Sequence, residues 1–248
     1  MYKAVSVLIA LINLFPPTAV AIQNGTESLN DSVTVPIDLT LKDGRKTGCS
    51  GAMIAPQVVI TAIHCVIDDN GEQFPGIRVG YPGSEAVRSE AQKWADVIAI
   101  YASVEFKSKG FRRVPDGDIA VLELDRAYVI DNQIPIASEN QVLDLIKNSG
   151  EVQIYGYGRT SDDTWLATKP QTINGNASNE STTNTNTFYI YSSIGAVCGG
   201  DSGGPILAEI DGVKRLIGIT NARFTQNDSK SDCSSKLNNN KFKAEATL

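Results

Sequence analysis

The sequence predicts an all-β fold. Short Val- and Ile-rich runs recur along the chain, and Gly, Pro, Asn and Asp separate them, a pattern typical of strands joined by turns. Apolar residues at helical spacing are scarce. Hydrophobic residues make up 42% of the 248 residues, enough to build a core in one large domain or two small ones. The spacing of the strand candidates favours β-barrels or a sandwich.

Residues 1–21 are predicted to be a signal peptide. Lys3 supplies a positive start, residues 4–15 are mostly apolar, and Ala-Val-Ala at residues 19–21 fits a cleavage site between small residues. A membrane anchor is disfavoured because the apolar run is short and contains Asn13, and a buried strand is the other alternative. We therefore expect a secreted protein, extracellular or periplasmic, with no membrane span after cleavage.

Strand candidates follow in order along the mature chain. Residues 33–60 alternate apolar and polar side chains around a turn at Asp43-Gly44, which predicts hairpin strands. Six further runs have strand character: residues 95–100, 119–124, 152–157, 187–191, 205–210 and 215–220. Residues 241–248 also alternate, and this predicts a last strand with Phe242, Ala244, Ala246 and Leu248 on one face.

Two segments interrupt the strand pattern. The polar stretch 131–140, which carries Pro135, predicts a boundary between an N-terminal half at residues 22–135 and a C-terminal half at residues 136–248. Each half holds about six strand candidates. Residues 171–187 are rich in Asn, Ser and Thr and have little apolar content, so we expect a mobile surface loop there.

The net charge limits the partners that we expect for this protein. Loss of Lys3 with the signal peptide leaves 21 basic and 28 acidic residues, a formal charge of −7, which argues against nucleic acid or an anionic membrane as a partner. The acidic run at residues 68–72 matches no complete calcium loop, so a solvated turn is favoured and we predict neither metal nor cofactor. The cysteines are Cys49, Cys65, Cys198 and Cys233.

An even number of cysteines in an exported chain predicts two disulfides. A zinc site with four thiolates is the competing interpretation, and it is disfavoured because the four are scattered and no pair has the Cys-x-x-Cys spacing. The residues alone leave all three pairings open.

The segment Gly-Gly-Asp-Ser-Gly-Gly-Pro at residues 199–205 places Ser202 among glycines, directly after Asp201. A serine hydroxyl becomes a good nucleophile only when a base removes its proton, and the developing oxyanion needs prearranged N–H donors. Glycines let the backbone turn tightly enough to supply such donors, here the amides of Gly200 and Ser202. The segment therefore predicts a hydrolase, with a flexible turn as the alternative.

The candidate base and its partner lie in the first half of the chain. His64 is the only histidine, and it lies at the end of an apolar run, directly before Cys65. A lone histidine is often structural, so its flanking residues carry the argument. Asp116 and Asp118 precede the strand candidate at residues 119–124, where an acid can be buried against a histidine and stabilise the imidazolium. Asp118 is the better candidate, although either acid could simply end a turn.

Three segments together resemble the signatures of the chymotrypsin/trypsin family of serine proteases. They are TAIHC, DIAVLEL and CGGDSGGP, in that family's order, with 54 residues from His64 to Asp118 and 84 from Asp118 to Ser202. IPIAS and IYGYG are lesser matches, and the resemblance runs from about Ile22 to about Ile219. It implies two perpendicular six-stranded antiparallel β-barrels with the site in the cleft between them, although the C-terminal helix of that family is expected to be missing.

The resemblance also implies the residue roles. His64 is then the general base and later the acid, Asp118 orients it, and Ser202 is the nucleophile that forms an acyl-enzyme with protein or peptide substrates. The oxyanion hole consists of the amides of Gly200 and Ser202. Protein inhibitors are further expected partners, and a monomer is the expected state. The implied disulfides are Cys49–Cys65, beside the histidine, and Cys198–Cys233, beside the primary specificity pocket.

Activation is a further implication of the resemblance. A freed ammonium of Ile22 is expected to pair with Asp201 and to order the oxyanion hole. Because the predicted signal cleavage falls directly before Ile22, signal peptidase alone could generate this terminus. We therefore expect no separate zymogen step.

The specificity pocket departs from the family pattern. Ala196 takes the position at the base of the pocket, and Asn221, Ala222 and Arg223 replace the family's Ser-Trp-Gly segment. An alanine offers no carboxylate to a buried Lys or Arg, so cleavage after basic residues should be weak. Small or medium neutral residues are favoured, whereas pairing of Arg223 with an acidic substrate residue is the alternative.

Two other functions are the alternatives to a protease. A catalytically impaired relative could use the same fold as a binding module, but such proteins usually lack a member of the triad, and all three residues are present here. An esterase of the α/β-hydrolase type would need a histidine after Ser202, and none follows.

Overall fold

The computed structural model describes residues 22–28, 33–68, 70–102, 117–131, 133–158, 166–178, 187–224 and 242–247, and at 222–224 and 242–247 it gives the strand pairing alone. The predicted signal peptide lies outside these ranges. Antiparallel strands dominate the described residues, so the prediction of an all-β fold is confirmed. None of the helices in these ranges has both the length and the apolar character needed to cross a membrane.

Six strands form a closed first barrel in the order β2-β3-β4-β7-β6-β5. Ile37, Val79 and Leu122, from three different strands, are fully buried in its core. Gly44 has a φ of +81° in the turn that joins β2 to β3, so the predicted hairpin is present. The strands are β2 (Thr34–Thr40), β3 (Lys46–Ala55), β4 (Val58–Thr61), β5 (Gly76–Gly80), β6 (Trp94–Ala102) and β7 (Ala120–Leu124).

The second sheet runs in the order β1-β9-β10-β13-β12-β11-β8. Because β8 also pairs with β9, six of these strands close into a second barrel and β1 lies beside β9. The predicted pair of six-stranded barrels is thus confirmed. The strands are β1 (Thr26–Glu27), β8 (Glu151–Gly156), β9 (Gln171–Ser178), β10 (Thr187–Ser192), β11 (Pro205–Ile210), β12 (Val213–Phe224) and β13 (Phe242–Thr247).

The predicted boundary between the halves stays a prediction. The cut between residues 135 and 136 falls after β7, the last strand of the first barrel, and before β8. The pairing of β1 with β9 places residues near the start of the mature chain on the second barrel.

The prediction of a loop at residues 171–187 was wrong for its first half, because residues 171–178 form β9. Ile173, Gly175 and Ala177 alternate with exposed residues and face the second core. A Cβ added at Gly175 would lie 2.6 Å from Ile190 Cγ2, so the residue must be small. The low apolar content reflects a strand that packs with small side chains. Residues 179–186 lie outside the described ranges.

One α-helix within the described residues was not predicted. Helix α1 (Glu139–Lys147) begins with a capping box, in which Gln141 N donates to Ser138 Oγ (3.4 Å) and Ser138 N donates to Gln141 Oε1 (3.0 Å). Val142 and Ile146, four residues apart, are buried against the second barrel. The spacing of Ser138 and Gln141 before an apolar run was the signal that could have identified it.

Candidate active site

The candidate base and acid lie at the same end of two paired strands. His64 lies in a single 3-10 turn (Ile63–Cys65) after β4, and Asp118 lies two residues before β7. Strands β4 and β7 are antiparallel, with Thr61 opposite Ala120. The end of β4 and the beginning of β7 therefore meet at one edge of the first barrel, and this brings two residues that are 54 positions apart into contact.

Asp118 holds His64 through both carboxylate oxygens. Oδ2 lies 2.7 Å from His64 Nδ1, and Oδ1 accepts a hydrogen bond from the His64 backbone N–H at 3.1 Å. The Asp118 side chain is 5% exposed and that of His64 is 29% exposed, so water has little access to the carboxylate. With Nδ1 engaged, Nε2 is the nitrogen that can take a proton from a nucleophile. Asp116, the other candidate acid, lies outside the described residues.

The serine lies in a tight loop that joins β10 to β11. Asp201 N donates to Cys198 O (3.0 Å) and Gly204 N donates to Asp201 O (2.9 Å), and these bonds form two consecutive turns. Gly203 has a φ of +79°, and a Cβ added there would overlap Thr61 Oγ1. The glycine therefore lets a loop of the second barrel press against the end of β4, next to His64.

Among the described residues, the amides of Gly200 and Ser202 have no hydrogen-bond partner. Gly203 N donates to Thr220 O (2.7 Å), and the amides of Asp201 and Gly204 are bonded as above. Across the described part of the chain, no hydrogen-bond acceptor is found for Gly200 N or Ser202 N, and both residues are partly exposed. The N–H group of a serine and that of the residue two positions before it are donors of the kind that a tetrahedral oxyanion requires.

Ser202 points at the second barrel. Its Oγ donates to Asn221 O at 3.4 Å, and within the described residues no hydrogen bond joins it to His64. The register of β12 against β13 shifts between Thr220 and Ala222, so a β-bulge at Asn221 presents that carbonyl to the serine. The structure thus brings His64 and Asp118 together, and a bond from Ser202 to His64 stays a prediction. Such bonds are often long before substrate binds.

Both members of the predicted activation pair are fully buried. Asp201 Oδ1 accepts from Gly158 N (2.7 Å), and Oδ2 accepts from Cys198 N (2.6 Å). Ile22 packs in the core of the second barrel, where its carbonyl accepts from Gly25 N (2.7 Å). An ion pair between Ile22 and Asp201 stays a prediction.

The predicted pocket residues lie on two segments of the second barrel. Ala196 is fully buried and exchanges two backbone hydrogen bonds with Gln23, at 2.9 and 3.0 Å. Asn221 lies in the bulge beside Ser202, and Ala222 and Arg223 continue β12 opposite β13. The side chains of Ala222 and Arg223 lie outside what the structure describes, so their part in specificity stays a prediction.

One predicted disulfide is present and the second lies partly outside the described residues. Cys49 and Cys65 are bridged, with 6.0 Å between their Cα atoms, and the bridge joins β3 to the turn that carries His64. Cys198 is disulfide-bonded, and its predicted partner Cys233 lies outside the described ranges. Those ranges contain no cluster of three His, Cys, Asp or Glu residues suited to a metal ion.

The contact of Ser50 with the loop that carries Ser202 was not predicted from the sequence. Ser50 N donates to Ser202 O (2.9 Å), and Ser50 Oγ donates to Gly200 O (2.8 Å). The only signal in the sequence is its place directly after Cys49, whose bridge leads to the candidate base.

Comparison with known proteins agrees with this architecture. The family model described as Trypsin matches residues 22–240. Lectizyme from Glossina austeni is 25% identical over 213 residues, which cover 79% of this chain and 74% of lectizyme. Chymotrypsin-like elastase family member 1 from Bos taurus is 26% identical over 220 residues, 83% and 80% of the two chains. Coagulation factor IX from Oryctolagus cuniculus is 28% identical over 184 residues, 69% and 64%. The chain therefore belongs to the trypsin family of serine proteases.

Proposed function

We propose that this protein is a secreted serine endopeptidase that hydrolyses peptide bonds through an acyl-enzyme intermediate. One observation carries the proposal. The buried carboxylate of Asp118 holds His64 by two bonds at the edge of the first barrel. The loop against that edge combines a serine with two amides, those of Gly200 and Ser202, that have no partner in the described part of the chain. A base, a nucleophile and oxyanion donors are the groups that acyl transfer needs.

The residues then act in a fixed order. His64 Nε2 removes the proton of Ser202 Oγ while Oγ bonds to the carbonyl carbon of the substrate, and Asp118 stabilises the resulting imidazolium. The amides of Gly200 and Ser202 donate to the oxyanion. The imidazolium gives its proton to the amine as the bond between carbon and nitrogen breaks. The amine departs, and the acyl-enzyme remains. Water then attacks the ester with His64 as base, and collapse of the second intermediate releases the carboxylic acid and restores Ser202.

Labelling and substitution of the serine test this proposal. The wild-type protein should react with one equivalent of an organofluorophosphate at Ser202, measured by intact mass and peptide mapping. Ser202→Ala should lower kcat by several orders of magnitude, because nucleophile and base act as a unit. Ser89→Ala, at an exposed position, is the matched control and should keep full activity. Stoichiometric labelling at another residue would refute the assignment.

The base has its own test. The rate should rise from acidic to neutral pH, because only the neutral imidazole of His64 can take the proton. A rate that does not change over this range would count against the role of His64.

Activation is proposed to depend on Ile22 and Asp201. The ammonium of Ile22, freed by cleavage before this residue, would offset the buried charge of Asp201, which directly precedes the nucleophile. Edman sequencing of an active preparation should read IQNGTE. Full activity in a preparation that begins at another residue would remove this mechanism.

The proposed specificity is for small or medium neutral residues. Ala196 is fully buried and carries no charge, so a Lys or Arg at the base of the pocket would lack a partner. A peptide library should show little cleavage after Lys and Arg. Selective cleavage after Glu or Asp that disappears in Arg223→Ala would instead establish the pairing with Arg223.

The same library tests the second candidate, a catalytically impaired relative that binds peptides. One observation favours it, because Ser202 is bonded to Asn221 O and lacks a bond to His64 among the described residues. Peptides that bind but stay intact after long incubation, with no labelling of Ser202, would support the binding module.

A further inference from the structure

Ser50 connects the two barrels at the nucleophile loop. It is fully buried on β3, and all four of its hydrogen-bonding groups are engaged. Its N–H donates to Ser202 O (2.9 Å) and its Oγ donates to Gly200 O (2.8 Å). Its Oγ also accepts from Tyr157 N (2.8 Å), and its carbonyl accepts from Thr61 Oγ1 (2.8 Å). We propose that Ser50 is a positioning residue that keeps the amides of Gly200 and Ser202 directed toward the oxyanion. This inference rests on the proposed function.

The two donated bonds hold the loop on both sides of Asp201. Ser50 holds the carbonyls of Gly200 and Ser202, whose amides have no partner among the described residues. Asp201 N is bonded to Cys198 O, so the peptide plane between Gly200 and Asp201 is held from both sides. Gly200 has a φ of +99°, and as a glycine it can adopt many other conformations. The hydroxyl of Ser50 therefore restrains the one residue in the hole whose backbone turns most easily.

The accepted bond ties the same hydroxyl to the support of Asp201. Tyr157 N donates to Ser50 Oγ, and the next amide, Gly158 N, donates to Asp201 Oδ1 (2.7 Å). Tyr157 is fully buried, so loss of the hydroxyl leaves a buried N–H without its acceptor as well as a free Gly200 carbonyl. The position of the hole is thus coupled to the packing of the first barrel.

Removal of the hydroxyl tests the proposal. Ser50→Ala should lower kcat per titrated active site on the order of 10- to 100-fold, less than the roughly 10²- to 10³-fold effect of losing an oxyanion donor, with little change in KM. A peptide aldehyde, whose tetrahedral adduct places an oxyanion in the hole, should bind more weakly by a similar factor. Active-site titration counts only competent molecules, so a merely structural loss would lower the titre and leave kcat per site unchanged.

Two further variants separate positioning from stability. Thr61→Val removes the bond to the carbonyl of Ser50 but leaves the bonds to Gly200 and Ser202, so it should lower stability and keep kcat and aldehyde affinity. Ser50→Gly is made in parallel, because its extra space can admit a water to the unpaired groups and so protect the fold. It should lower kcat by a smaller factor, of about tenfold or less.

The outcomes are distinct. Loss of kcat and of aldehyde affinity in folded Ser50 variants, with Thr61→Val unaffected, supports the inference. An active wild type whose folded Ser50 variants keep kcat and aldehyde affinity overturns the inference alone. A wild type with neither turnover nor labelling of Ser202 overturns the proposed function, and this inference with it.

Discussion

At the scale of single residues, charge and backbone freedom are concentrated around Ser202. Asp118 and Asp201 are both nearly or fully buried, and each carboxylate accepts two hydrogen bonds from the chain. Such bonds are needed because an unpaired buried carboxylate costs several kcal/mol. Gly200 and Gly203 supply the positive φ angles that let the loop reach the first barrel. The effect of a substitution near Ser202 can therefore be predicted from the contacts that it removes or adds.

The close approach of Gly203 to β4 predicts a large loss of stability in Gly203→Ala. The added methyl meets Thr61 Oγ1 and Ser50 O at a φ of +79°, so strain of about 1 to 2 kcal/mol combines with overpacking of about 1 to 3 kcal/mol. Gly212→Ala is the control, because Gly212 has a φ of +71° and open space around it. Urea denaturation should show a clearly larger loss for Gly203→Ala, and equal losses would contradict the packing argument.

The contacts of Asp68 predict that its contribution to the stability of the fold depends on pH. The hydrogen bond from Lys42 (2.7 Å), followed by those from Glu72 N and Asn70 N, lowers the pKa of Asp68 from 3.8 to about 2. Because this pKa is lower than in the unfolded chain, ionised Asp68 favours the fold above pH 3.8, and that contribution is lost as the pH falls through about 2.

An NMR titration of the Asp68 carboxyl measures this directly. Lys42→Met should raise the pKa of Asp68 but leave it below 3.8, because the two backbone donors remain. Lys42→Arg keeps the cation and should change it less. A wild-type midpoint at 3.8 would contradict the contacts.

At the scale of elements, alternating apolar and polar residues predict most of the strands. Strand β9 and helix α1 are exceptions, because their formation depends on how they pack. Strand β9 carries small inward residues because the second core is crowded beside Ile190, so the composition alone indicated a loop. Helix α1 buries only Val142 and Ile146, a stripe too narrow to stand out against the strand pattern. Its capping box is therefore expected to contribute much of its local stability.

Ser138→Ala tests that expectation. Loss of the cap leaves Gln141 N without its acceptor, and the unfolding free energy should fall by about 1 kcal/mol. The measurement is urea denaturation, with hydrogen exchange in the first turn of α1. Ser89→Ala, at an exposed position outside the helix, should change the stability by no more than about 0.5 kcal/mol. An unchanged first turn in Ser138→Ala would refute the role of the cap.

At the scale of the whole molecule, the site depends on contacts between the two barrels. The first barrel holds His64 and Asp118, and the second carries the loop with Ser202. Ser50, on β3 of the first barrel, bonds directly to that loop. Gly48, also on β3, leaves the space that the side chain of Leu166 fills. The Cys49–Cys65 bridge adds a covalent link between β3, which carries Ser50, and the turn of His64.

Removal of this bridge should weaken the fold and the site together. The cysteines are 16 residues apart, and a loop of that length corresponds to about 3 kcal/mol of stabilisation. The double variant Cys49→Ala/Cys65→Ala should lose about that much in denaturation and should bind a peptide aldehyde more weakly. Substitution, unlike reduction, spares the bridge of Cys198. A loss well under 1 kcal/mol would show that packing alone holds β3 beside the turn.

Much of the fold was predictable because its signals are local. Alternation marked the strands at residues 205–210 and 215–220, and short motifs of unusual composition marked His64, Asp118 and Ser202 as candidates. Residues 171–178 and helix α1 were missed because their patterns depend on the space around them.

Three short motifs carry the residue types that the chemistry needs, and so the sequence was sufficient to name a candidate nucleophile, base and acid. The contacts that orient them join residues far apart in sequence: Ser50 to Gly200 across 150 positions, and His64 to Asp118 across 54. Such pairs carry no local pattern, because their geometry arises only when the two barrels pack. Only the tertiary structure could show that a buried serine of the first barrel is bonded to the loop of the second barrel that carries Ser202.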